Sequence, residues 1–246
     1  MDKVRTAQEW IHEAGSVVVF SGAGMSADSG IATFRGAAVD ARWKHHDPMK
    51  LASPEGFAAD PETVIAWYAE RRRTLAAVSP HAGHEALAMH PGFTHVTQNV
   101  DDLLERAGID GQRVHHLHGS LLSDRCHAGC GHRENIDPAD PPGLRNCPRC
   151  GAPMRPAVVW FGEALDGDVW AAAEQAVLGA DLMLVVGTSA SVMPAASFID
   201  VARTAGSRII RIDPEMPATR LAPDGRDLLL AESARQALPQ LLAANA

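Results

Sequence analysis

The 246-residue chain is 46% hydrophobic with a formal charge of −8, which is long enough for one enzyme-sized unit and has the composition of a soluble globular protein. The acidic balance argues against a nucleic-acid-binding surface and suits cationic partners such as lysine-bearing protein tails. No apolar run reaches a membrane span, so no membrane partner is expected. The amino-terminal MDKVRTAQEWIHEAG has helical spacing at Val4, Ala7, Trp10 and Ile11. It is charged throughout and lacks a signal-peptide core, which makes the cytoplasm the expected compartment.

Val17 to Phe20 is a short apolar, β-branched run, the pattern of a parallel strand buried on both faces. Gly22 and Gly24 follow, with Ala23 between them. They let the backbone turn tightly and approach a pyrophosphate, and the next helix points its free N–H groups at the same anion. A lone GxG fits an ordinary strand–turn–helix corner equally well. Residues 36–77 read as helical, with Trp43, Phe57, Trp67 and Tyr68 for packing. In WYAERRR, Tyr68 and Arg71 are three apart and share a helix face. A guanidinium and a phenol so placed can bind a carboxylate; alternatively Tyr68 packs in the core and Arg71, Arg72 and Arg73 form a solvated face.

A helix over Pro80–Met89 and a strand over Thr94–Thr97 come next, followed by TQNVDDLLERAG. This places Gln98, Asn99 and Asp101 at a strand's carboxyl end, where open α/β sheets bind ligands, although Asn99 and Asp101 also suit capping of a helix over Val100–Ala107. A strand over Val114–Leu117 ends in His118–Gly119, and an imidazole there is well placed as a general base. His115 and His116 read as structural. All four cysteines follow as Cys126, Cys130, Cys147 and Cys150. CxxxC and CxxC can surround one tetrahedral zinc; the competing reading, two disulfides, does not suit a reducing compartment. With four thiolates and no open position the zinc is structural; His127 and His132 lie nearby as alternative ligands, or as the simple exposed loop residues their setting favours.

The last third supplies a helix over Val169–Leu178, a strand over Leu182–Val186 running into Gly187, Thr188 and Ser189, a helix over Ala195–Thr204, and a strand over Arg208–Ile212 ending at Asp213. Alternating strands and helices predict a doubly wound parallel Rossmann-like sheet. Residues 36–77 and 122–157 do not fit that sheet. They predict a smaller domain, a helical insert plus a zinc module, inserted into a larger dinucleotide-binding domain of residues 1–35, 78–121 and 158–246.

Five separated motifs carry a resemblance to one family. GAGMSADSGIATFR resembles the GAGxSxxSGIPxFR signature of the sirtuins, with Ala32 in place of the family's proline. TQNxD, HGS, the cysteine module and GTS resemble the family's as well, though its first cysteine pair is usually CxxC. The resemblance implies an NAD-dependent protein lysine deacylase that releases nicotinamide and O-acyl-ADP-ribose. It assigns His118 as base, Gln98 and Asn99 to ribose and water, Asp101 to the nicotinamide carboxamide, and Phe34 and Arg35 to closure over the reacting centre. NAD is expected to touch Gly22, Ala23, Gly24, Ser26, Gln98, Asn99, Val100, Asp101, Gly187, Thr188 and Ser189. Asp213, where the family has Asn, is expected at the adenine ribose, and Ala234 near the adenine. RPAVVWFGE resembles the substrate strand, giving Val159, Phe161, Gly162 and Glu163 to the acyl-lysine peptide, with Val192 beside Ser191 and Pro194 on the opposite wall. YxxR at Tyr68 and Arg71 resembles the sirtuins that remove succinyl and malonyl groups. A mono-ADP-ribosyltransferase or a non-catalytic NAD-sensing zinc module are the rival readings.

Overall fold

The computed structural model describes residues 2–32, 47–189 and 192–243. Six parallel strands form the central sheet: β1 (Val17–Ser21), β2 (Thr94–Thr97), β3 (Val114–His116), β7 (Leu182–Val186), β8 (Arg208–Ile212) and β9 (Asp227–Leu230), in the order β3-β2-β1-β7-β8-β9. Every residue of β1 and β7 is buried, because helices cover both faces of the sheet. The side-chain alternation of a strand then sorts each run into two cores. Val17, Val19, Leu182, Leu184 and Ile210 pack with the helices Lys3–Glu13, Ala82–Ala88 and Ala234–Leu242. Val18, Phe20, Met183, Val185 and Ile209 pack with Gly167–Leu178 and Phe198–Ala205. Full burial of a side chain the size of Phe20 stabilises the fold by about 1.5–3 kcal/mol. Among the described residues, no helix is long and apolar enough to cross a membrane.

The chain order reverses direction between β1 and β7. That is the topological switch point of the sheet, and it opens a crevice at the strands' carboxyl ends. Helix bounds shift inward from those predicted. Ala82–Ala88 is shorter than Pro80–Met89 because His81 serves as its N-cap. Leu103–Arg106 is shorter than Val100–Ala107 because Asn99 to Asp102 remain in the connecting loop. β3 ends one residue before Leu117, and a 3₁₀ turn at Ala195–Ser197 precedes the helix Phe198–Ala205.

A second, three-stranded antiparallel sheet holds β5 (Arg133–Asn135), β4 (Gly119–Cys126) and β6 (Met154–Val158) in that order. Against it lie the helices Pro48–Leu51, Pro54–Ala59 and Pro61–Ala76. Each starts with proline in its first turn after an Asp47, Ser53 or Asp60 cap, whose side chain accepts a backbone N–H. Phe57, Tyr68, Leu75, Leu121, Val158 and Trp160 form the core between helices and sheet. The predicted helical insert is thus helical from Pro48 onward; Trp43 lies outside the described residues. The Arg71–Arg73 run is not one solvated face. Arg72 is buried, donates to the Leu121 carbonyl at 2.7 Å and pairs with Asp124 at 2.6 Å, while exposed Arg73 meets Glu70 at 2.8 Å.

Candidate active site at the sheet's carboxyl edge

The glycine-rich turn after β1 leans directly on the loop after β7. Gly22 N–H donates to the Val186 carbonyl at 3.0 Å, and Gly24 N–H to the Gly187 carbonyl at 2.8 Å. Gly187 sits at φ +57°, and a Cβ there would come within 2.4 Å of the Gly24 backbone. A Cβ on Gly24 would meet Gly187 Cα at 2.7 Å, so the glycines allow backbone-to-backbone packing at the crevice. Ala23 caps the short helix Gly24–Ala27. From behind, the Nδ1 of His81 accepts from Gly83 N–H, which leaves Nε2–H to donate to the Met25 carbonyl at 2.7 Å. This support for the turn was missed in the sequence, where His81 carries no motif.

The loop after β2 ties three strands together. Gln98 N–H donates to Ser21 O at 2.9 Å, and its side-chain amide donates to Thr188 Oγ1 at 2.9 Å. Asn99 Nδ2 donates to Ser26 Oγ at 3.1 Å, and Ser26 Oγ–H donates to Asp101 Oδ2 at 3.0 Å. The other oxygen of Asp101 accepts Leu103 N–H at 3.2 Å, so Asp101 both caps the helix and anchors the turn. Burial raises its pKa, partly offset by these hydrogen bonds. Val100 is half-buried, and its carbonyl accepts Leu121 N–H at 2.9 Å.

Two imidazoles hang from consecutive carbonyls of this loop. His118 Nδ1 donates to Gln98 O at 3.0 Å, and His116 Nδ1 to Asn99 O at 2.9 Å. A carbonyl only accepts, so His118 is the Nδ1–H tautomer and its Nε2 carries the lone pair of a base. Burial lowers its pKa against the Gln98 bond, keeping it neutral. His116 differs because its Nε2 faces Glu105 at 2.8 Å. Burial opposes the charge, but the Glu105 contact outweighs it and raises the pKa, and His116 reads as a structural residue.

Asp213, at the end of β8, is half-buried, and one of its oxygens accepts Glu215 N–H at 2.8 Å. Ala234 opens the closing helix beyond β9, with its methyl in the core at 3% exposure, so only its backbone remains to face a ligand. Ser189 is an exposed residue of the segment after β7. Phe34, Arg35 and Ser191 lie outside the described residues. Among the described residues Ser29 Oγ is buried without a hydrogen-bond partner, an orphan that a bound polar group would satisfy. The glycine cradle, this orphan and the hydroxyl and amide donors around it fit a dinucleotide.

Beside this edge, Tyr68 is 1% exposed and its Oη receives Trp160 Nε1–H at 2.8 Å. The Arg71 guanidinium lies 4.8 Å from the Trp67 ring centroid and 5.6 Å from that of Tyr68. Burial lowers its pKa, and among the described residues no carboxylate is within ion-pair distance of it. The segment after β6 borders the same region. Val159 N–H donates to His118 O and Phe161 N–H to Ala52 O, both at 2.9 Å. Phe161 is 41% exposed, Val192 37%, and Gly162 takes φ +85°. Glu163 is held within the protein. Its carboxylate pairs with Arg155, with Arg125 at 2.8 Å and with Trp160 N–H at 2.9 Å, so it braces the strand.

The four cysteines converge at the end of β4. The Sγ atoms of Cys126 and Cys150 are 3.4 Å apart, those of Cys130 and Cys147 3.5 Å, and all four lie within 4.8 Å of one another. A tetrahedral zinc with bonds of about 2.3 Å needs sulfurs roughly 3.8 Å apart, which this cluster meets with small adjustment. His127 is not a simple exposed residue, for its ring packs 4.9 Å from Phe57. His132 is half-buried near Glu134 at 3.5 Å. Purified without chelator, the protein is expected to hold one zinc per chain by elemental analysis. Cys147→Ser is expected to lower the melting temperature through lost folding free energy. A metal content near zero would contradict the assignment.

The Sir2 family model matches residues 22–194. An NAD-dependent protein deacylase of Mycobacterium tuberculosis is 44% identical over 234 residues, covering 92% of this chain and 96% of that protein. One from Thermus thermophilus is 44% identical over 232 residues, covering 90% and 89%. A solved Sir2 homologue in complex with NAD superposes with a TM-score of 0.87 at 40% identity, covering 97% of this chain and 92% of that one. With a family match over most of its length and a fold that superposes on a solved Sir2 homologue, the chain belongs to the Sir2 family.

Proposed function

We propose that this chain is an NAD-dependent protein lysine deacylase that prefers succinyl and malonyl groups, with deacetylation as a secondary activity. The family and the relatives named NAD-dependent protein deacylase support the reaction class. The observation that carries the mechanism is the tautomer of His118, fixed by the Gln98 carbonyl with Nε2 left as a base. Bound NAD supplies the ribose that accepts the acyl group and loses nicotinamide. His118 Nε2 takes the proton of the hydroxyl that attacks the acyl carbon, and positioned base catalysis of this kind is worth about a hundredfold to ten-thousandfold. The hydrogen-bonded chain from Asn99 through Ser26 to Asp101 holds the loop that orients the ribose and carboxamide. Gly22, Gly24 and the Gly187–Ser189 loop receive the phosphates and adenosine side, and Asp213 the adenine ribose. The resemblance assigns Phe34 and Arg35, which lie outside the described residues, to excluding water from the reacting centre.

The acidic acyl preference rests on Arg71, a poorly hydrated guanidinium without a carboxylate of its own among the described residues. With Tyr68 beside it, it suits an acyl carboxylate. The peptide lies between Val159, Phe161 and Gly162 on one side and Val192 on the other as an added strand. A Sir2 protein that is 26% identical, with a TM-score of 0.73, was solved bound to a myristoylated histone peptide, which supports an acyl-peptide ligand at this fold. The larger body is assigned to NAD and the second sheet with its helices to the smaller, and free cysteines suit a reducing compartment such as the cytoplasm. Incubation with NAD and acyl peptides tests the reaction by mass spectrometry. Free lysine and O-acyl-ADP-ribose are expected; a peptide that gains ADP-ribose would make the chain a transferase.

A further inference from the structure

A phenol binds a carboxylate only when its O–H points at it, so the acyl selectivity proposed above depends on where one proton goes. Tyr68 Oη lies 2.8 Å from the indole Nε1 of Trp160. An indole N–H only donates, so Tyr68 is the acceptor in that bond and its own proton is left for another partner. Burial raises the Tyr68 pKa, which keeps that proton in place.

Trp160 is itself fixed by groups with no part in acyl binding. Its backbone N–H donates to Glu163 at 2.9 Å, and the Arg155 guanidinium lies 3.9 Å from its ring centroid. Arg155 is tied to Glu163 in turn, and Phe57 packs 5.4 Å from the indole on a tilt. The indole orientation is therefore set before any substrate arrives.

We propose that Trp160 is a specificity-positioning residue: its indole N–H occupies the acceptor side of Tyr68 and so turns the phenol into a donor toward an acyl carboxylate. This rests on the reading of Tyr68 and Arg71 as the acyl-carboxylate pair. With phenylalanine at position 160, Tyr68 Oη keeps the Arg71 guanidinium as a donor but loses the indole that fixes the direction of its own O–H.

The test compares kcat and KM on succinyl and acetyl versions of one peptide for the wild type, Trp160→Phe, Tyr68→Phe, the double variant and Arg71→Met. Trp160→Phe is expected to lower the succinyl-to-acetyl ratio of kcat/KM about three- to tenfold, mainly through the succinyl KM, with acetyl turnover held within about twofold. In the Tyr68→Phe background it should leave the ratio unchanged, because no hydroxyl remains to be oriented. Equal losses on both peptides, or the same fall with and without the Tyr68 hydroxyl, would reduce Trp160 to packing and overturn the proposal. A ratio that falls in Arg71→Met but not in Trp160→Phe removes the positioning role alone. A ratio unchanged in Arg71→Met removes the acidic-acyl reading and the positioning role together.

Discussion

His118→Ala is expected to lower kcat at least about a hundredfold while the protein still folds and still binds NAD, because the change removes the base and leaves the glycine-rich turn untouched. The turn is held by bonds that do not involve His118, namely Gly22 to Val186, Gly24 to Gly187 and His81 to Met25. What the variant loses besides the base is the partner of the Gln98 carbonyl, which calls for a check of melting temperature alongside the kinetics. The wild-type pH profile carries the same claim. The base works when neutral, and burial holds its pKa below the ordinary 6.5, so the acid limb of kcat/KM should fall below pH 6.5. Retention of more than about a tenth of wild-type turnover would be too much for a base worth a hundredfold or more.

The second large effect concerns acyl choice. Arg71→Met leaves a succinyl carboxylate without its cation in a region walled by Trp67 and Tyr68, and a charged hydrogen bond lost there costs about 1.5–3 kcal/mol. That is at least about a tenfold fall in kcat/KM for succinyl peptide. Acetyl peptide has no carboxylate to lose and should hold steady. Tyr68→Phe removes one neutral hydrogen bond and should cost less, about 0.5–1.5 kcal/mol. An equal fall for both acyl groups in Arg71→Met would make Arg71 a structural residue of the helix Pro61–Ala76.

The sheet was legible in the sequence where short runs rich in β-branched residues mark buried strands. Val17–Phe20, Thr94–Thr97, Leu182–Val186 and Arg208–Ile212 all lie in strands of the central sheet. β4 was not legible, because GSLLSDRC has polar positions that only pairing with β5 and β6 satisfies. β9 was missed as well. Its first residue, Asp227, is a fully buried carboxylate held by Arg203 and Arg211, partners remote in sequence. Arg72 shows the same limit. Within RRR nothing separates it from its neighbours, and only the Asp124 carboxylate across the fold does so.

At the candidate site, motifs reported which residues meet but not how. The spacing of Asn99 and Asp101 suited either a helix cap or a ligand site, and Asp101 bonds both the helix Leu103–Arg106 and Ser26 of the cofactor turn. Tyr68 suited either a core residue or a ligand-facing phenol. It is 1% exposed, yet its oxygen only accepts, from the Trp160 indole and the Arg71 guanidinium, which leaves its proton unspent. Periodicity registers burial and spacing; it does not register which lone pair a distant donor occupies.

The most direct test of the account is a panel of succinyl, malonyl, acetyl and unmodified lysine peptides of one sequence, incubated with NAD and followed for nicotinamide release and deacylated product. The expected result is one nicotinamide released per lysine freed, with kcat/KM for succinyl and malonyl peptides above that for acetyl by at least about tenfold, the worth of the Arg71 contact. Absence of nicotinamide release from every acyl peptide, or acetyl turnover above that of both acidic acyl groups, would contradict it.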